Sequence, residues 1–274
     1  MKENGDYMLS KDVVDSFNLK GDVIPIIGGQ NTSVRVKNTV LKPAEDALHA
    51  EILLTIIYGI HPQGYRLSKP VKSNKGTFVS HGWICTQFET GHEVNGRVKE
   101  KLQVARLFHQ DLSIINVNDL PQVNNPWSRA HKVAWQVTEL AKEIHIEIRQ
   151  IIEKLLHKVR LKENYACQIV HADLSGNILF HELLSPLIID FSPTVAPVEY
   201  AEAILVCDCI AWQGSIVSDI DMLLNNEFNK EMIIRAVVFR LAVEAIFSGN
   251  DINRFIQQYV LFKPIVDYIE MMKY

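Results

Sequence analysis

No stretch of this sequence is apolar for long enough to cross a bilayer. The most apolar run, Ala201 to Trp212, is interrupted by Asp208 well short of a span. The opening residues MKENGDYMLSKD lack the apolar segment of a signal peptide, so a cytoplasmic protein without a membrane partner is expected. Basic excess is missing too. With 28 Lys and Arg against 32 Asp and Glu the formal charge is -4, whereas binding to a phosphate backbone needs a basic surface that displaces counterions. Nucleic acid is therefore not an expected partner. Four cysteines are too few for a disulfide scaffold in a chain this long. Cys207 and Cys209 stand two apart on a predicted helix and point to different faces, which disfavours joint metal ligation, and buried free thiols are expected. The ten histidines form no HExxH or Cys/His metal spacing, and His109 and His145 read as packing or surface residues.

What is present is an ordinary globular balance, 47% apolar and 22% charged, over a length sufficient for one large domain or two lobes. Ser10 reads as the N-cap of a short helix that ends by Gly21. From Val23 to Pro43 the pattern turns to β, and VIPII, SVRV and TVLK predict an antiparallel meander. Pro43, Glu45 and Asp46 suit the start of a helix carrying the stripe Leu48, Ile52 and Ile56. A strand pair, YRLSKPVKS and TFVSHGWICTQF, follows, joined by a turn at Asn74-Lys75-Gly76. Beyond Gly91 the chain reads as helical, with one long segment after Asn125-Pro126 and three more toward the C-terminus. CQIVHA, NILF and PLIID are the strand-like exceptions. The expectation is an α+β fold in two lobes. Residues 1–88 form a five-stranded antiparallel sheet with a helix, and 89–274 a helical lobe carrying a short hairpin, the junction falling near Thr86 to Glu89.

One stretch carries chemistry: His171-Ala172-Asp173-Leu174-Ser175-Gly176-Asn177-Ile178-Leu179-Phe180, then Pro186-Leu187-Ile188-Ile189-Asp190-Phe191. Asp, Ser, Gly and Asn are also common turn residues, so the signal lies in the combination. Phosphoryl transfer needs a carboxylate to orient the acceptor hydroxyl and take its proton, plus oxygen ligands for Mg²⁺ on the nucleotide phosphates. Asp173 fits the first need, and Asn177 with Asp190 the second. Asp208 lies at helical spacing among Ala201, Ile204, Leu205, Ala211 and Trp212, and burial there is costly without a partner.

This motif order resembles the aminoglycoside phosphotransferase and choline kinase family of the protein-kinase-like fold, over about Val23 to Trp212. The resemblance implies ATP and Mg²⁺ as cofactors and a hydroxyl on a small molecule as acceptor. It assigns Asp173 as the base, His171 and Asp208 as supports of its loop, and Asn177 and Asp190 to the metal. In the first lobe it implies that Gly28, Gly29 and Ser33 cover the phosphates and that Lys42 contacts them, held by Glu51. Gln87 and Phe88, within a hinge running to Glu89, would meet the adenine, with walls from Ile27 and Val34 and a floor from Leu179 and Ile189. Glycine pairs also mark ordinary hairpins, and this one is not a Walker A loop.

Two departures stand out. Asn177 lies four residues after Asp173, where most of the family has five, and IDFSP lacks the glycine of the protein-kinase D-F-G. The second points to a small-molecule phosphotransferase. The first keeps open an alternative, a nucleotide-binding regulator of weak or no catalytic activity. Acceptor specificity is expected in the last sixty or so residues and nearby, where Glu199, Glu202, Asp219, Asp221 and Glu227 suit a cationic acceptor, although solvated helix faces account for them as well.

Overall fold

The structure, a computed structural model, describes residues 9–26, 32–159 and 165–271. The first part of the chain runs through α1 (Lys11–Ser16), β1 (Val23–Pro25), β2 (Val34–Val36), β3 (Thr39–Pro43), α2 (Ala47–Gly59), β4 (Arg66–Leu67), β5 (Val79–Ser80), β6 (Trp83–Gln87) and β7 (His92–Glu93). Then come α3 (Val98–Leu112), α4 (Pro126–Ala134), α5 (Ile146–Leu156), β8 (Gln168–His171), β9 (Ile178–Phe180), β10 (Leu187–Ile188), β11 (Pro193–Ala196), α6 (Val198–Gln213), α7 (Glu227–Ser248) and α8 (Ile252–Met271). Two compact units result. The first takes in residues up to His92, Asn118–Pro121 and Leu179–Ile189, and the second takes in the rest. The chain thus first passes from one unit to the other at His92 and Glu93, and residues Leu179–Ile189 belong with the first unit.

In the first unit the expected meander forms, and the five-stranded sheet has the order β1-β2-β3-β6-β5. Alternation puts Val36, Leu41 and Cys85 on one face, where they pack with Trp83 and with Val13 and Phe17 of α1. Each such buried side chain contributes about 1.5–3 kcal/mol. Ser10 caps α1 as read from the sequence, its Oγ accepting from Val13 N–H. Asp46, rather than Pro43, opens α2: its carboxylate accepts from His49 N–H at 2.9 Å, while Pro43 ends β3. The second strand pair differs from expectation. β5 and β6 turn through His81 and Gly82, both at positive φ, while β4 leaves this sheet to pair in parallel with β10. The 69–71 segment keeps only edge bonds to β6, such as Val71 N–H to Cys85 O. A pairing with a strand 120 residues away carries no local signal.

In the second unit α7 is the central element, touching α4, α5, α6 and α8. The single long helix expected after Pro126 is two helices. α4 starts with Asn125 and Ser128 capping each other, and it stops at Ala134 because the buried Arg235 of α7 donates to Ala134 O at 2.7 Å. Gln136 then turns left-handed, at φ 56°. β11, not read from the sequence, pairs antiparallel with β8. Cys207 and Cys209 are buried as expected, whereas Cys167 is exposed. Among the described residues no helix is long and apolar enough to cross a membrane.

Candidate active site

The pairing of β8 with β11 sets the backbone of the site. Pro193 stands opposite His171, and Ala172 N–H donates to Ser192 O at 3.0 Å, so the segment after Asp190 is stitched to the residue before Asp173. Phe191 completes this register by meeting the rings of His171 and Phe108, each at 5.6 Å. Asp190 itself is exposed, at φ 51°, a left-handed conformation that costs a side chain other than glycine of order 1 kcal/mol and is held by its surroundings.

His171 is fully buried, and its Nδ1 accepts the backbone N–H of Asp173 at 3.1 Å, which makes Nε2 the protonated nitrogen of its neutral ring. It braces the loop by hydrogen bonding. Behind it the Nε2 of His109 accepts the His171 N–H at 3.1 Å. Burial first, and then the neighbouring His171, push His109 down to about 3, so it stays neutral.

The Asp173 side chain is 48% exposed, and Arg240 of α7 donates from Nη2 to its Oδ1 at 2.7 Å. The same guanidinium donates to both oxygens of Asp208, from Nε at 2.8 Å and again from Nη2. Asp208 is 0% exposed, and burial pushes its carboxyl up to about 6 against the pull of Arg240. For Arg240, burial favours the neutral form, but the carboxylates of Asp208 and Asp173 prevail and its pKa stands above the ordinary arginine value. The resemblance implies Asp208 as a support of the loop; its contact with the loop is a 3.4 Å bond from Ser175 Oγ, and its main partner is Arg240.

Two further residues hold the loop. Lys101 of α3 is fully buried and donates to Ser175 O at 2.8 Å and to Gln213 Oε1 at 2.6 Å. Gln213 in turn donates to Ser175 O and to Glu93. Asn177 Nδ2 donates to Asp173 O at 2.7 Å. This turns the Asn177 amide oxygen away from that carbonyl. Asn177 and Asp190 carry oxygens of the hard-donor type that Mg²⁺ takes from a protein, while among the described residues no three or more His, Cys, Asp or Glu side chains gather as a metal site. A cavity of about 370 Å³ lies against Asp173, walled by Glu93, Asn95, Asn177, Trp212 and Gln213.

In the first unit Lys42 is half-buried on β3, opposite Ile84 and on the sheet face away from Leu41. Val34 lies on the other face, packed against the Val36 and Leu41 core, so it does not share a wall with Lys42. Glu51 also departs from its expected place. Its carboxylate accepts the N–H groups of Phe78, at 2.9 Å, and of Val79, at 2.8 Å, closing the corner where α2 meets β5. A carboxylate facing two adjacent amides is a strong local acceptor, and this displaces the expected clamp on Lys42. At the hinge, Gln87 N–H is spent on Lys69 O and Phe88 N–H on Asn38 O, so neither is available to a base. Arg35 stacks on the Phe88 ring at 3.6 Å. Leu179 and Ile189 are half-buried, and Ser33 O accepts from Ile26 N–H. Gly28, Gly29 and Ile27 lie outside the described residues. Of the acids read as acceptor contacts, Glu202 is buried and paired with Arg106. Asp221 accepts from Tyr268.

Arg240, Lys101 and Gln213 escaped the sequence reading. Arg240 had a signal, a charge inside the apolar run AVVFRLAVEAIF, the same reasoning that singled out Asp208.

The fold and this loop define the two-lobed protein-kinase-like fold, with a small sheet-rich lobe and a larger helical one. A family model described as RIO domain matches residues 129–218, which include the loop, Asp190 and Asp208. Solved structures agree at low identity. The apo form of a thermostable mutant of aminoglycoside phosphotransferase APH(4)-Ia is 11% identical with a TM-score of 0.63, over 96% of this chain and 100% of that one. The choline kinase LicA from Streptococcus pneumoniae is 11% identical, with a TM-score of 0.57 over 94% and 96%. The amicoumacin kinase hAmiN, solved in complex with AMP-PNP, Ca²⁺ and Ami, is 14% identical, with a TM-score of 0.55 over 93% and 91%. No curated protein matches the chain by sequence.

Proposed function

We propose that this protein transfers the γ-phosphoryl group of ATP to a hydroxyl of a small molecule. The observation that carries the reading is the Asp173 carboxylate, held from the protein side by Arg240 yet 48% exposed, on the wall of a cavity large enough for a small acceptor. The acceptor oxygen bonds to the γ-phosphorus as the bond from phosphorus to the ADP oxygen breaks, and the hydroxyl proton passes to Asp173. Lys42 meets the phosphates, with Ser33, Gly28 and Gly29 over them. Leu179 and Ile189 make the apolar floor for the base, beside Gln87 and Phe88. Asn177 and Asp190 hold Mg²⁺, which when bound neutralises phosphate charge. Glu93 and Trp212 on the cavity wall suit an acceptor that carries a positive charge.

Structures similar to this chain include kinases of small molecules, one of them a ternary complex with AMP-PNP and hygromycin B. That supports the reaction class. Hydroxylated metabolites, nucleosides and aminoglycosides should be screened with Mg²⁺ and ATP for acceptor-dependent ADP release, with phosphorylated product confirmed by mass. A second reading, a nucleotide-binding regulator, is kept by the shortened loop, in which Asn177 lies four residues after Asp173. It requires ATP binding by calorimetry with no acceptor releasing ADP.

A further inference from the structure

The Asp173 carboxylate has two oxygens in different surroundings. Oδ1 accepts from Arg240 Nη2 at 2.7 Å, and among the described residues Oδ2 meets a long 3.4 Å approach from Asn177 Nδ2. Arg240 has no freedom to follow a moving carboxylate. It is buried on α7, its Nε and Nη2 are fastened to Asp208, and its guanidinium lies 5.3 Å from the centre of the Trp212 ring and 5.0 Å from that of Phe239. A planar guanidinium anchored at three points fixes direction as well as charge, which an ammonium on a flexible stem does not.

We propose that Arg240 is the positioning residue of Asp173: anchored on Asp208, it pins Oδ1 and thereby presents Oδ2 to the acceptor hydroxyl. The role rests on Asp173 being the base, and it adds a residue some seventy positions away, from a different helix. Asp208 then serves chiefly as the anchor of Arg240, and the loop is oriented through a side chain as well as through its backbone. A pinned carboxylate matters because misplacement of a reacting group by about 1 Å costs on the order of a hundredfold in rate.

Two variants separate this role from simple stability. Arg240→Lys keeps a cation for Asp208 but loses the fork. Arg240→Gln combined with Asp208→Asn leaves no buried unpaired charge, and glutamine is too short to reach Asp173 while held by residue 208. Turnover is read as hydrolysis of Mg²⁺-ATP with water as acceptor, and with any acceptor the screen supplies. Both variants should lower kcat roughly 10- to 100-fold, with KM for ATP within about twofold, the split expected when ground-state binding is untouched. In an Asp173→Asn background they should cause no further loss, because Arg240 acts through Asp173. A crystal structure of Arg240→Lys should show the Asp173 carboxylate turned from its present rotamer or split between two. Unchanged kcat, an equal loss in the Asp173→Asn background, or an unmoved carboxylate overturns the proposal. Turnover indifferent to Asp173→Asn alone would remove the base assignment beneath it, which is a different failure.

Discussion

The backbone N–H of His171 donates to Nε2 of His109, 3.1 Å away and 62 positions earlier, so a helix side chain fixes the strand that leads into the Asp173 loop. This bond exists only while Nε2 is unprotonated, which ties the site to pH.

His131, stacked on Phe239 at 3.8 Å and bonded through Nδ1 to Tyr200, is likewise pushed down to about 3 by burial and by Arg240. In the unfolded chain both histidines charge below their ordinary 6.5. The stability they supply is complete above that value and is lost as the pH falls toward 3. Denaturant titrations at pH 7 and pH 5 should differ by about 2 kcal/mol for each histidine, with the acid side less stable. Equal stability at the two values would show that both rings are protonated in the folded chain.

Removing the Lys101 ammonium leaves the Ser175 carbonyl and Gln213 Oε1 short of a buried donor. Lys101→Met keeps the apolar stem and should cost roughly 1–3 kcal/mol. Turnover should fall along with it, since Ser175 is two residues from Asp173. Thermal melting and initial rates measured on the same sample test this, and a melting temperature equal to that of the parent would contradict it.

Glu51→Gln should leave nucleotide affinity within about twofold and speed hydrogen exchange at the Phe78 and Val79 amides, whose acceptor it weakens. A loss of ATP affinity by calorimetry, with those amides still protected, would return Glu51 to the role of clamp on Lys42.

Gly91 lies where an added Cβ would come within 2.9 Å of the Leu179 Cβ. Gly91→Ala should therefore destabilise by about 1–3 kcal/mol, the usual cost of overpacking, and displace a residue proposed for the nucleotide floor. Unfolding midpoints identical to those of the parent would mean that the hairpin yields freely.

The parts of this molecule visible in the sequence are those whose cause is local. Ser10 caps its helix through a bond three residues long, and the alternation in SVRV and TVLK sets the meander. His171, Asp173 and Asn177 fall within seven residues of one another, so their chemistry shows as a motif. What stayed hidden depends on distant partners. α4 stops at Ala134 because Arg235 reaches it from a hundred residues away, and β4 pairs with β10 across a similar span. Glu51 looked like a clamp because helix spacing says nothing about two amides on a later strand. Arg240 was legible in part, since a cation among AVVF and LAVEAIF needs a buried partner, but nothing in spacing named Asp173 as that partner.

Everything in the functional account turns on one carboxylate. With ATP, Mg²⁺ and an acceptor found in the screen, Asp173→Asn should lower turnover by roughly two to four powers of ten while the Kd for ATP, read by calorimetry, stays within about threefold. Full turnover in the Asp173→Asn protein, at unchanged ATP affinity, would contradict it.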